Sequence, residues 1–133
     1  MIEYFHDWKD DEGYKAWLDS LQPGDTWTYV YTSGYSSRRD VATVTVEELT
    51  KTQIVLLNGT RYRSSDGGEV GGSYYDKLHG PSRPEELQKA ADEREHRRLA
   101  AQLDWVEWRR IPKEKLEAVL KIIKRTDHVI HAT

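Results

Sequence analysis

The residue types best suited to bond chemistry are few in this chain, and the clearest spacing among them is His128-Val129-Ile130-His131. Two histidines three residues apart share one helix face and could hold a metal ion together. A structural zinc site needs four ligands, usually Cys or His, and the chain has no cysteine. The pair also lies where a terminal helix would fray. We therefore predict no metal site and no cofactor.

Other catalytic signatures are equally weak. The glycine-rich run 67–72 resembles a phosphate-binding loop in composition, but such a loop opens directly into a helix, and the next helical pattern begins only at Pro84. The acidic residues fall in first helical turns, in i, i+4 pairs or at hairpin ends, and the turn serines lack a GxSxG elbow. These patterns predict a protein that is not an enzyme, and they rank a small enzyme third among the functions considered.

Arginine and tyrosine interleave in the middle of the chain. Small barrels bind single-stranded nucleic acid by stacking bases on aromatic rings while basic groups contact the backbone. The net charge of −3, from 20 Lys+Arg and 23 Asp+Glu, opposes binding to a polyanion. Nucleic-acid binding is therefore the alternative function. Its predicted residues are Tyr35, Arg38, Arg39, Arg61 and Arg63.

Trp105 and Trp108 follow a long, highly charged segment and precede two arginines. Tryptophan and arginine dominate the energetic centres of protein interfaces, so these residues indicate a partner-binding surface. The same tryptophans could instead pack the last helix against the rest of the protein. A Gly- and Ser-rich loop offers two further exposed aromatic residues. The predicted protein-binding residues are Trp105, Trp108, Tyr74, Tyr75, Arg109 and Arg110.

An amphipathic helix is predicted near the start of the chain. Tyr14, Trp17, Leu18 and Leu21 stand at i, i+3, i+4 and i+7, the spacing of one helix face. Acidic residues in its first turn suit the helix dipole, and a Gln-Pro-Gly-Asp sequence ends it.

Short strands are predicted over about residues 26–70. The segments 26–33, 41–49, 52–57 and 60–63 are rich in β-branched and aromatic residues. Asn58-Gly59 separates the last two, as in a type I′ hairpin turn. Four to five antiparallel strands in so short a stretch predict a small SH3-like barrel.

Two helices are predicted after the strands, over about 84–109 and 113–125. The second carries Leu116, Val119, Leu120 and Ile123 on one stripe. The first is apolar near both ends and charged in the middle, so homodimerisation through the 84–109 helix is a further option.

Length and composition bound the whole chain. Its 133 residues, with 37% apolar and 32% charged, fit one α+β domain over 1–133, made of an acidic helix (1–25), the barrel (26–72) and a helical region (84–126). No apolar run approaches the about 18–20 residues that span a bilayer, and the acidic N-terminus does not read as a signal peptide. We therefore expect a cytoplasmic protein without a membrane partner.

Residues 41–72 resemble small proteins encoded by phages and prophages of actinobacteria, in which a similar hairpin precedes a charged helix. The matching residues are Thr50-Lys51-Thr52-Gln53-Ile54-Val55, Gly59, Arg61-Tyr62-Arg63, Asp66-Gly67 and Val70-Gly71. The resemblance implies a phage accessory protein that engages a host protein in the host cytoplasm. The leading function is thus a non-enzymatic binding module with a host protein as its partner.

Overall fold

The computed structural model describes residues 1–7, 9–33, 38–72 and 76–131, with side chains as far as Arg125. The elements in chain order are α1 (Asp11–Ser20), β1 (Thr26–Thr32), β2 (Arg39–Leu49), β3 (Gln53–Leu56), β4 (Arg61–Arg63), α2 (Pro84–Asp104), a 3-10 turn (Trp108–Arg110) and α3 (Lys113–His131). The predicted α+β class, the N-terminal helix and the two C-terminal helices are confirmed. The chain divides into two compact units, Met1–His96 and Arg97–Thr133. The prediction of one domain over the whole chain stays a prediction.

The four strands form one antiparallel sheet in the order β1-β2-β3-β4. β2 is long enough to pair with β1 through its first half and with β3 through its second. A bulge lies between Val46, which is opposite Leu56, and Glu48, which is opposite Val55. An extra residue in one strand bends that strand and increases its twist, so the sheet curves around the core.

The Asn58-Gly59 turn joins β3 to β4, but not as a type I′ turn. Gly59 has φ +89°, whereas none of the described non-glycine residues has a positive φ. The Gly59 N–H donates to the Leu56 carbonyl (2.9 Å), and the Leu56 N–H donates to the Thr60 carbonyl (2.9 Å). This is a three-residue loop with glycine in the left-handed position, and it serves the same hairpin with one more residue.

The described sheet is open, so the predicted SH3-like barrel is not confirmed. Residues 76–82, which we call the strap, form hydrogen bonds at both ends of the strand order, near β4 and at β1. At one end the Leu78 N–H donates to the Gly67 carbonyl (2.8 Å), just beyond β4. At the other end the Ser82 N–H donates to the Thr28 carbonyl (3.2 Å) on β1, and Ser82 Oγ accepts from the Val30 N–H (2.9 Å). The strap thus forms hydrogen bonds at the outer strands, where a closed barrel would have the first and last strands pair with each other.

The core lies between α1, the concave side of the sheet and the strap. The predicted α1 stripe is confirmed, because Trp17, Leu18 and Leu21 are buried in it. The other buried members are Tyr4, Trp27, Val46, Ile54, Leu56 and Leu78. Two aromatic groups of this cluster hold the strap, since Tyr14 Oη donates to the Leu78 carbonyl (2.6 Å) and Trp27 Nε1 donates to the His79 carbonyl (2.8 Å).

The helical region differs from its predicted bounds at two places. α2 ends at Asp104 rather than near residue 109, so Trp105 and Trp108 do not lie on one helix. Bulky and β-branched residues follow Asp104, and i→i−3 hydrogen bonds from Trp105 and Val106 tighten the chain there. α3 continues to His131, beyond the predicted end near 125.

Candidate functional site: an apolar face in residues 97–125

The helices of the second unit do not form a hydrophobic core of their own among the described side chains. None of the described side chains from Arg97 to Arg125 is fully buried, and most are exposed. Helices in proteins gain most of their stability by packing an amphipathic face, and units below about 40 residues usually need a metal, a disulfide or an oligomer. We therefore expect the apolar surface of this unit to be buried against another molecule.

The apolar face centres on α3. Leu116, Val119, Leu120 and Ile123 form the predicted stripe, and together with Trp108 they line a groove of about 280 Å³. Leu120 is 50% exposed and Ile123 is 55% exposed, whereas Leu116 and Val119 are half-buried, so the stripe is open mainly at Leu120 and Ile123. We call this set of five residues the α3 groove.

Further apolar side chains extend the exposed surface of this unit. Trp105 is 87% exposed and is not among the residues that line the α3 groove. Leu99 and Leu103, on the last part of α2, are about half exposed. Of the two predicted tryptophans, Trp108 therefore shapes the groove, while Trp105 stands in solvent.

Charge differs sharply between the two units. Residues 97–133 carry nine Lys+Arg and five Asp+Glu, a net charge of +4, whereas residues 1–96 carry 11 and 18, a net charge of −7. Among the predicted protein-binding residues, Arg110 pairs with Glu107 at 2.8 Å and Arg109 is exposed. Tyr74 and Tyr75 lie outside the described residues. The apolar face thus belongs to a unit with a net positive charge.

The arginines predicted to bind nucleic acid are held by local partners. Arg39 on β2 makes a two-pronged ion pair with Glu93 on α2, and these hydrogen bonds raise the pKa of its guanidinium. Arg63 on β4 bonds both carboxylate oxygens of Asp66, at 3.0 and 3.2 Å, and lowers the pKa of that carboxyl. A phosphate would have to displace these carboxylates.

The remaining residues of the alternative site do not complete a common surface. Arg61 donates to the Gln53 amide oxygen at 3.2 Å on the β4 side of the sheet. Arg38 is exposed beside β2, and Tyr35 lies outside the described residues. The arginines therefore divide between the start of β2 and the opposite edge of the sheet.

A polar cleft of about 560 Å³ lies beside β4 and α1. Its Lys15 bonds Asp19 at 2.9 Å and the Ser64 carbonyl at 3.1 Å, and its Arg63 is paired with Asp66 as above. The described lining holds no pair of converging carboxylates of the kind that general acid–base catalysis uses. The predicted absence of catalytic residues stays a prediction.

Within the described ranges, no three His, Cys, Asp or Glu side chains come together as metal ligands would. The side chains of His128 and His131 lie outside the described residues. Along the stretches that the structure describes, no helix combines the length and apolar character needed to cross a bilayer.

A stacked pair of histidines near the strap is a feature that the sequence does not reveal. The rings of His6 and His79 lie 4.0 Å apart, and the ring of Tyr29 lies 4.6 Å from that of His79. The Gly80 N–H donates to His6 Nδ1 (3.1 Å), so this nitrogen acts as an acceptor and His6 is uncharged. Burial, followed by the nearby His79, lowers the pKa of His6 to about 4. Burial also lowers the pKa of His79.

Comparisons with protein-family models, with curated proteins and with solved structures found no match to this chain.

Proposed function

We propose that this chain is a non-enzymatic protein-binding module whose contact surface is the α3 groove. The observation that carries the proposal is a regular four-residue apolar stripe, Leu116, Val119, Leu120 and Ile123, of which Leu120 and Ile123 are exposed. Isolated exposed leucines are common on proteins, but a contiguous apolar patch with a tryptophan at its wall is typical of interaction sites.

The resemblance of residues 41–72 to phage-encoded proteins supports the biological setting that we propose. In that setting the chain is a phage accessory protein, acts in the host cytoplasm and takes a host protein as its partner. Homodimerisation through the helix predicted over 84–109 is the competing proposal. Nucleic-acid binding is less well supported, because Arg39 and Arg63 are already paired with carboxylates.

Substitution of one exposed leucine tests the proposal. Leu120→Asp places a charge in the middle of the α3 groove, and Leu57→Asp places the same charge on a leucine that is 66% exposed after β3. Affinity capture from a host lysate should yield a partner with the wild type and with Leu57→Asp, and should lose it with Leu120→Asp. Hydrogen exchange of the captured complex should show protection over residues 116–123.

The circular-dichroism spectrum of each variant controls for folding. If Leu120→Asp keeps its helical signal and still captures every protein that the wild type captures, the α3 groove is not the contact surface. If protection falls on the sheet instead, the surface has been assigned to the wrong unit.

A further inference from the structure

We propose that the α3 groove binds an acidic amphipathic helix of the partner protein. This inference rests on the proposed function and adds the chemistry of the bound element.

The shape of the groove fits a helix. Its apolar residues on α3 extend from Leu116 to Ile123, seven residues along the helix, or about 10 Å at 1.5 Å per residue. Trp108 lies beside the stripe and lines the same shallow, open groove. A row of side chains at i, i+3, i+4 and i+7 on a partner helix fills such a groove, as ridges of one helix fill grooves of another.

The charge around the groove selects an acidic partner. Successive residues of a helix are rotated by about 100° around its axis. Measured around that axis from Leu116, Lys113 lies at about 60° and Lys124 at about 80°, so both lysines border the stripe. The Lys113 side chain is 87% exposed, and its contact with Glu117 is long at 3.9 Å, so its ammonium group can meet a second carboxylate. Carboxylates along the edges of a bound helix would lie opposite these lysines and strengthen binding.

The same charge disfavours two other occupants. A second copy that used the same face would bring one unit of net charge +4 against another, and like charges across an interface oppose association. A bilayer would accept the lysines, but it offers no row of side chains to pack into the groove beside Trp108. We therefore assign the groove to a helix rather than to a copy or a membrane.

The experiment uses three labelled helical peptides of about 18 residues with an identical Leu/Ile stripe. Their flanking positions are all Glu, all Gln or all Lys. Fluorescence anisotropy with the full chain at about 50 mM salt should give tightest binding for the Glu peptide, about tenfold tighter than for the Gln peptide. The preference should shrink at about 300 mM salt.

Variants locate the interaction. Leu120→Asp should abolish binding of the Glu peptide, and Leu57→Asp should leave it unchanged. Lys113→Glu combined with Lys124→Glu should reverse the order, so that the Lys peptide binds more tightly than the Glu peptide. Equal affinities for the three peptides, or tightest binding of the Lys peptide by the wild type, would overturn the assignment.

Two further measurements separate the inference from the proposed function. Sedimentation equilibrium that shows a dimer lost in Leu120→Asp would assign the groove to a second copy and overturn the helix. Binding to vesicles of phosphatidylglycerol and phosphatidylcholine that Leu120→Asp removes would do the same in favour of a membrane. If no peptide binds but the captured partner still protects residues 116–123, the acidic helix is wrong while the binding module stands.

Discussion

Acidification from pH 7 to pH 5 should weaken the Met1–His96 unit through the stacked imidazoles of His6 and His79. Their pKa values are lowered, so the folded state holds both rings uncharged at a pH where an ordinary histidine takes up a proton. The unfolded chain then binds more protons than the folded chain. Stability is therefore fully present above about pH 6.5 and falls as the pH decreases toward 4, the folded pKa of His6.

The pKa of His6 sets the size of the effect. A shift from 6.5 to about 4 lowers the free energy of unfolding by about 2 kcal/mol between pH 7 and pH 5 if the whole shift applies. The His6 side chain is half-buried, so solvent screens part of this energy and we expect about 1 kcal/mol. Protonation also removes the acceptor that Gly80 uses, and the loss of this hydrogen bond acts in the same direction.

Urea unfolding at pH 7, 6 and 5, followed by circular dichroism, measures the change. His6→Gln removes one of the two titrating groups and should reduce the pH dependence, while His96→Gln, at an exposed position on α2, should leave it unchanged. The comparison uses the slope of the unfolding free energy against pH, because His6→Gln also loses ring stacking at every pH. Asp66 does not interfere, since its pKa is lowered from 3.8 and it titrates below this range. Equal slopes for the wild type and His6→Gln would refute the reasoning.

Three other tests concern the packing of the first unit. Trp17→Ala empties a position that is 0% exposed and should cost about 3–5 kcal/mol of unfolding free energy in urea titrations. Gly67→Ala and Gly71→Ala both strain a positive φ, but only at Gly67 does the new methyl group also meet the tyrosine hydroxyl that holds the strap, so thermal melts should show the larger loss there. A double-mutant cycle of Arg39→Ala and Glu93→Ala should give a small favourable coupling, and additivity would show that the pair adds nothing.

The parts of the fold that the sequence predicts are those with a local period. Trp17, Leu18 and Leu21 recur at the spacing of a helix face, and burial of that face is the dominant stabilising force, so α1 packs as expected. The four strands follow from clusters of β-branched and aromatic residues. The α3 stripe is predicted on the same basis as α1, although nothing in its spacing tells whether the chain itself covers it.

The parts that the sequence does not predict depend on distant contacts. The strap has no period, and its hydrogen bonds reach residues such as Thr28, far back in the chain. The ion pair between Arg39 and Glu93 joins a strand to a helix across 54 residues, so an arginine that looks available in the sequence is already engaged. Arg63 and Asp66 stand only three residues apart, and that pairing could have been recognised from spacing alone.

The strap has a consequence for how the chain folds during synthesis. Until residues 76–82 leave the ribosome, the outer amide groups of β1 have no internal partner from the strap, and an unpaired strand edge can template association with other chains. A chain shortened before Asp76 would lack the strap and the buried Leu78, and the edge of β1 would stay unpaired. Ribosome stalling or proteolysis before the strap should therefore produce fragments that aggregate rather than soluble shortened chains.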